Sequence, residues 1–228
     1  MKKIFITTIL AFLAFNISLF AQDGKQEMLT TTAKNSSISF YPLNLFNIYE
    51  PSIQLAYEHA LNRKWAIELD GGIIIKRSIV PLKHDLFTFN SQDFSHSGYK
   101  VRVEAKRFIW TNATGKHNFY VSTESFYTHS ISNIFTTYVN IGGGVFYDDY
   151  TVNKDVVGLN LKIGKQFMFN HFLLELYGGL GVSYHIATHQ YADDYSKPDP
   201  DVLQDYLFRE GKYFQLTLPL NMKVGYRF

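Results

Sequence analysis

The sequence predicts an all-β chain, a single eight-stranded antiparallel up-and-down transmembrane β-barrel. Three observations predict it. Apolar and polar residues alternate with a period of two along most of the chain, as strands between two unlike environments require. The connections between these segments are alternately short and long. The chain is also rich in aromatics, with 20 Phe and 16 Tyr, yet its mean hydropathy is only −0.11. Apolar residues evenly diluted by polar ones fit a two-faced wall better than a soluble core.

Composition excludes several classes. There is no cysteine among the 228 residues, so disulfide scaffolds, thiolate metal sites, Cys nucleophiles and an N-terminal lipidated Cys are absent. The formal charge of +2 gives no reason to expect a nucleic-acid partner.

The elements follow in chain order. Residues 1–21 have a basic start at Lys2 and Lys3, an apolar core densest over Ile9–Phe15, and Ala21 before polar Gln22, the pattern of a cleaved secretory signal peptide. With the two leader lysines gone, 20 of the 22 basic residues face 20 acidic ones, and the mature chain is neutral. Residues 22–33 are read as a short periplasmic tail, and 34–228 as the barrel. The first strand lies near 34–42, on Ile38 and Phe40. The second alternates Ile53, Leu55 and Tyr57 with Gln54, Ala56 and Glu58. The third sets Trp65, Ile67, Leu69 and Ile73 against Glu68, Asp70 and Gly72. The fourth sets Tyr99, Val101 and Val103 against Lys100, Arg102, Glu104 and Lys106. A fifth, near 118–128, carries Phe119, Val121 and Tyr127 against Ser122 and Glu124. The sixth sets Val157, Leu159, Leu161 and Ile163 against Gly158, Asn160 and Lys162. The seventh runs Phe172, Leu174, Leu176, Leu180, Val182 and Tyr184 against Glu175, Tyr177 and Ser183. The last runs Phe214 to Phe228 against Gln215, Thr217, Asn221, Lys223 and Arg227. Pro219 predicts a local irregularity there, because it cannot donate to a ladder.

Connections after the second, fourth and sixth strands are short (61–64, 111–117, 169–171). Those after the third, fifth and seventh are long (about 78–97, 130–154 and 188–212). Short periplasmic turns opposite long external loops characterise outer-membrane barrels. The link near 43–51 is short where that pattern wants a long one. A soluble, lipocalin-like barrel would turn the apolar parity inward. Glycine on the polar parity (Gly158, Gly164, Gly179, Gly181, Gly225) favours the opposite orientation. So do two aromatic bands, Trp65, Phe119, Phe167, Phe172, Tyr226 and Phe228 at one end and Tyr99, Tyr127, Tyr184 and Phe214 at the other.

The ending L-T-L-P-L-N-M-K-V-G-Y-R-F resembles the C-terminal assembly signal of Gram-negative outer-membrane proteins, with Phe228, Tyr226 and Val224 at the signal positions. The chain from about 34 onward resembles small OmpA/OmpX-like barrel domains. Residues 51–65 also resemble Gram-negative barrel families that carry no assigned activity. The resemblance implies an outer-membrane location, with outer-membrane lipid and lipopolysaccharide, the barrel-assembly machinery and an extracellular ligand of the loops as partners.

If the apolar parity faces lipid, Glu58, Glu68, Asp70, Lys100, Arg102, Glu104, Lys106, Glu124, Lys162, Glu175, Lys223 and Arg227 face inward. An eight-stranded lumen is just wide enough for side chains to fill. The expectation is therefore an interlocked plug of ion pairs, with a narrow solute or ion channel as the alternative. Other chemistry is poorly served. T-H-S-I-S-N (128–133) resembles the His–Ser–Asn stretch of lipid A deacylases, but Ser130 and Ser132 fall on the strand face opposite His129. The acidic loop 192–205 lacks the Gly and closing Glu of a calcium loop. His84, His96, His185 and His189 show no metal-ligand spacing and read as loop residues. The sequence thus predicts no catalytic residue, cofactor or metal, and a surface-displaying barrel in place of an enzyme.

Overall fold

The computed structural model describes residues 36–47, 50–75, 93–111, 117–139, 145–191 and 209–228. The leader, the tail and the acidic loop lie outside these, as does His84. The strands are β1 (Ser36–Phe40), β2 (Ser52–Ala60), β3 (Trp65–Ile74), β4 (Asp93–Thr111), β5 (His117–Val139), β6 (Val145–Phe169), β7 (Phe172–Tyr191), β8 (Gly211–Thr217) and β9 (Leu220–Arg227). All neighbours pair antiparallel, and β1 pairs with both β2 and β9 while β6 pairs with β7, so the sheet closes on itself. The last two strands are one barrel strand interrupted at Pro219. Gly181 faces Thr217 and Gly178 faces Leu220, so the register with β7 runs through the interruption unchanged. Eight barrel strands result, as the alternation predicts.

Closure is made by the C-terminal strand. Tyr226 sits opposite both Ile38 of β1 and Phe172 of β7. The Phe228 amide donates to the Ser36 carbonyl at 2.9 Å, one residue past the ladder.

Two features depart from the sequence reading. The segments expected as long loops are partly strand. β5 and β6 stay paired as far as Val139 opposite Val145, well past the barrel wall. A tilted strand needs only about 9–11 residues to cross a membrane, whereas β5 has 23 and β6 has 25. With β4 and β7 they form a tall rim on one side. His96, His185 and His189 therefore lie in strands, which corrects their reading as loop residues. The second departure is the short link after β1. It folds into the lumen as a 3-10 turn, Pro42–Phe46, with Tyr41 fully buried and Asn44 accepting a hydrogen bond from Asn221 at 2.6 Å. It is short because it fills the interior instead of projecting from it.

The inward-facing glycines make room for rings. A Cβ at Gly164 would lie against the Tyr120 phenol, and one at Gly158 against the Phe126 ring. Gly164→Val should destabilise the folded barrel by about 1–3 kcal/mol, the usual cost of overpacking. Urea unfolding in detergent checks this, and Tyr120→Ala in the same chain should recover most of the loss.

Candidate functional site

The inward face of each strand is polar because the period of two sends every second residue there. What the strands assemble is one connected ionic network. Lys106 Nζ of β4 donates to Glu68 Oε2 at 2.7 Å, to Glu175 Oε2 at 2.8 Å and to Glu58. Lys223 Nζ of β9 meets Glu68 Oε1 at 2.6 Å, Glu175 Oε1 at 2.7 Å and Glu104 Oε2 at 3.5 Å. Lys162 Nζ of β6 binds Glu124 Oε2 at 2.7 Å and Glu104. Glu68 and Glu175 each hold two lysines, one per carboxylate oxygen, and Glu104 joins Lys223 to Lys162. The members come from β2, β3, β4, β5, β6, β7 and β9, seven of the eight barrel strands. All three lysine side chains have 0% exposure.

Three tyrosines complete the packing. Tyr120 donates its hydroxyl to Glu175 at 2.7 Å, and Tyr41 to Glu68 at 3.3 Å. Lys162 Nζ lies 4.3 Å from the Tyr177 ring centroid, and Lys106 Nζ lies 5.0 Å from that of Tyr120. The ring faces give each ammonium further electrostatic contact where no water can reach. The sequence reading assigns none of these rings to a lumen cluster and sorts the aromatics into interface bands and loops. A signal is present for Tyr177 and Tyr120, which share parity with Glu175 and Ser122. Tyr41 lies beyond the strand, and nothing in the alternation marks it.

Of the twelve charged residues expected to face inward, eight are joined in the network. Glu58, Glu68, Glu104, Lys106, Glu124, Lys162, Glu175 and Lys223 form the network. Arg102 approaches it only at 3.9 Å from Asp70 and 4.0 Å from Glu124. Lys100 does not join it. Three inward steps of about 6.6 Å each separate it from Lys106, and its ammonium pairs with Glu50 at 3.0 Å. Glu50 escaped the sequence reading because it stands outside every strand. Burial alone would push its carboxyl up, but Lys100 and Lys154 beside it hold it down at about 2. The carboxylates of Glu58, Glu68 and Glu175 lie within 4.8 Å of one another, a cation-binding arrangement, and Lys106 supplies that cation.

Above the plug, toward the long connections, lies an open cavity of about 500 Å3. A smaller one of about 180 Å3 lies at the short-turn end, lined by Glu58, Gln166 and Arg227. Ser183 and His185 of β7 are hydrogen-bonded at 2.8 Å in the upper wall, and His185 stacks on Tyr213 at 4.8 Å. Ser132 and His96 pair across β5 and β4 at 2.7 Å, with a Glu50 oxygen 3.9 Å from the other imidazole nitrogen. Both pairs put a hydroxyl on an imidazole, but that carboxylate is beyond hydrogen-bonding distance, and Nδ1 of His185 has no hydrogen-bond partner among the described residues. His129 faces outward, as the alternation requires, and binds Asp155 at 2.8 Å.

The outer surface is the inverse of the lumen. Leu161, Ile163 and Leu180 are 65–67% exposed on the outward parity, while the inward parity buries lysine and glutamate. Aromatics pair at both ends of this belt, Tyr99 with Tyr127 at 5.9 Å and Tyr184 with Phe214 at 4.8 Å at the end of the long connections, and Trp110 with Phe119 at 5.7 Å near the short turns. The fold is that of an outer-membrane barrel. No protein family and no curated protein matches the chain. Among solved structures, a major outer membrane protein from Thermus thermophilus is similar, at 16% identity and a TM-score of 0.46, over 85% of this chain and 98% of that one.

Replacing Lys106 by Met takes the shared cation from half-buried Glu58 and from buried Glu68 and Glu175, the last two keeping Lys223. The barrel should lose about 3–5 kcal/mol, the cost of breaking a buried pair from one side, read as a lowered urea midpoint in detergent.

Proposed function

We propose that this chain is an integral outer-membrane protein of a Gram-negative bacterium. Its filled barrel is a scaffold for tall external hairpins, making it a structural or surface-interaction protein and not an enzyme. The observation that carries this reading is the inverted distribution of polarity. In water, an exterior of leucine, isoleucine and phenylalanine around a core of lysine and glutamate would be unfavourable on both counts. In a bilayer the same distribution puts each group in the environment it prefers, and a closed barrel leaves few backbone groups unsatisfied. The short turns and the closing strand then face the periplasm, and the β5–β6 hairpin stands outside.

Phe228, Tyr226 and Val224 sit on the last strand, where both edges are engaged, and this supports their role as the strand that the assembly machinery reads. Loops and hairpins on rigid scaffolds usually carry function, so an extracellular ligand would meet the β4–β7 rim. The plug speaks against the channel alternative, since seven strands contribute side chains to it and its lysines are fully buried. The carboxylate facing His96, that of Glu50, stands 3.9 Å away and pairs with Lys100 at 3.0 Å, which supports a packing role for that serine–histidine pair.

An unheated sample should migrate differently from a boiled one on an SDS gel, and the protein should fractionate with membranes. Recovery as a soluble, heat-indifferent protein would refute the membrane reading. Purified barrel in a planar bilayer should show no stable conductance. Leu180→Arg, near mid-belt, should cost about 2–4 kcal/mol of folding stability in lipid vesicles, measured by urea titration.

A further inference from the structure

Among the described residues the barrel wall is incomplete on one side. Among the described residues β8 pairs with β7 alone, whereas every other strand has two neighbours. β1 closes the wall lower down, but its pairing with β9 ends at Phe40 opposite Val224, and the chain then turns into the lumen. This leaves a notch between β8 and the start of β2, opposite the tall rim. The free edge shows in the exposures. Phe214, Leu216, Leu218 and Leu220 are 75–84% exposed, while no other described large hydrophobic exceeds the 67% of Leu180. Phe214 belongs to the outer aromatic band, so the notch opens at outer-leaflet depth.

The 500 Å3 cavity lies directly behind the notch, lined by Leu43 on one flank and by Leu218 and Leu220 on the other. Lys100, Arg102 and Lys154 line it against Glu50 and Glu124. Arg102 is the telling member. Its guanidinium lies over the Tyr41 ring at 5.8 Å and forms long ion pairs with Asp70 at 3.9 Å and Glu124 at 4.0 Å, but it makes no hydrogen bond among the described residues. A planar fork of five donors facing a polar cavity matches a phosphate, which it can bind in bidentate fashion.

We propose that the notch is a lateral port for an amphiphile of the surrounding leaflet whose phosphate headgroup carries a net negative charge. Its headgroup enters the cavity against Arg102 while its acyl chains stay outside along Phe214, Leu216 and Leu218. The proposal rests on the membrane reading above. A strand from a second copy would pair the β8 edge but place no hydrogen-bond acceptor in the cavity against Arg102. A free anion would answer Arg102 but not the apolar edge. Only an amphiphile engages both.

The test uses the full chain in zwitterionic detergent, with folding verified by heat-dependent gel migration. Native mass spectrometry compares bound phosphatidylglycerol with phosphatidylcholine of identical acyl chains. Phosphatidylglycerol should be retained at least about fivefold better, as charge-assisted hydrogen bonds to an arginine fork imply. Arg102→Gln should abolish that preference, and Arg102→Lys should keep part of it. Because the chain has no cysteine, Leu43→Cys with Leu218→Cys allows a short bismaleimide to bridge the notch without touching Arg102. Bridging should lower phosphatidylglycerol binding several-fold, which keeps the test decisive if the Arg102 variants do not fold. Equal retention of the two lipids overturns the proposal. So does full competition by glycerol phosphate with no effect of bridging, which would mean entry of a soluble anion from the mouth. Dimers cross-linked through Gln215→Cys without lipid preference would assign the edge to a second copy, and binding seen only after removal of residues 22–35 would assign it to the chain's own tail. A protein that stays soluble without detergent refutes the membrane reading as well, and is thereby told apart from failure of the port alone.

Discussion

Three lysines buried among glutamates are the constraint on which this structure depends. An ammonium or carboxylate withdrawn from water costs several kcal/mol unless it is paired and its hydrogen bonds are met. Lys106, Lys162 and Lys223 each meet this condition by drawing two or three glutamates from different strands. The partners are far apart in sequence and close only in the closed barrel, so the pairing specifies register as well as filling space. A slip of one residue in any strand would point its charge at hydrocarbon and a leucine at the plug.

The rest of the interior is arranged around this plug. Glycine at 164 leaves room for the Tyr120 ring, whose hydroxyl takes up an oxygen of Glu175. The link after β1 turns inward so that Tyr41 can reach Glu68. That same turn takes the chain away from the wall above Phe40 and leaves β8 with one neighbour among the described residues. Filling the lumen from the first link and opening the wall at the eighth strand are thus two results of one path of the backbone. The rim reflects the same asymmetry, tall over β4–β7 and low over β8, β1 and β2.

The two serine–histidine pairs show how a polar lumen brings a hydroxyl onto an imidazole. In a lumen crowded with polar side chains, a hydroxyl and an imidazole on facing or alternate positions will meet. A third group must hold the imidazole in one tautomer and stabilise its cation before it can serve as a base. Here the carboxylate facing His96 is that of Glu50, whose shorter contact is with Lys100 at 3.0 Å.

All eight strands were legible from alternation, as were the break at Pro219, the inward placement of the charged residues and the outward placement of the aromatic bands, because a strand's side-chain period is a local property of the backbone. The sequence could also say that inward charges must pair. It could not say which, since partners such as Lys106 and Glu175 are joined only when the sheet closes. Lys100 looked like a member of the network and is not, because height within the barrel depends on strand tilt and register, which alternation does not encode. Tyr41 and Glu50 gave no signal, lying where the chain leaves the strands and its period. The extension of β5 and β6 was hidden because strands standing clear of the membrane no longer need one apolar face. Local periodicity, in short, determined which face each residue takes. Closure of the sheet decided which residues meet, what fills the lumen and where the wall stays open.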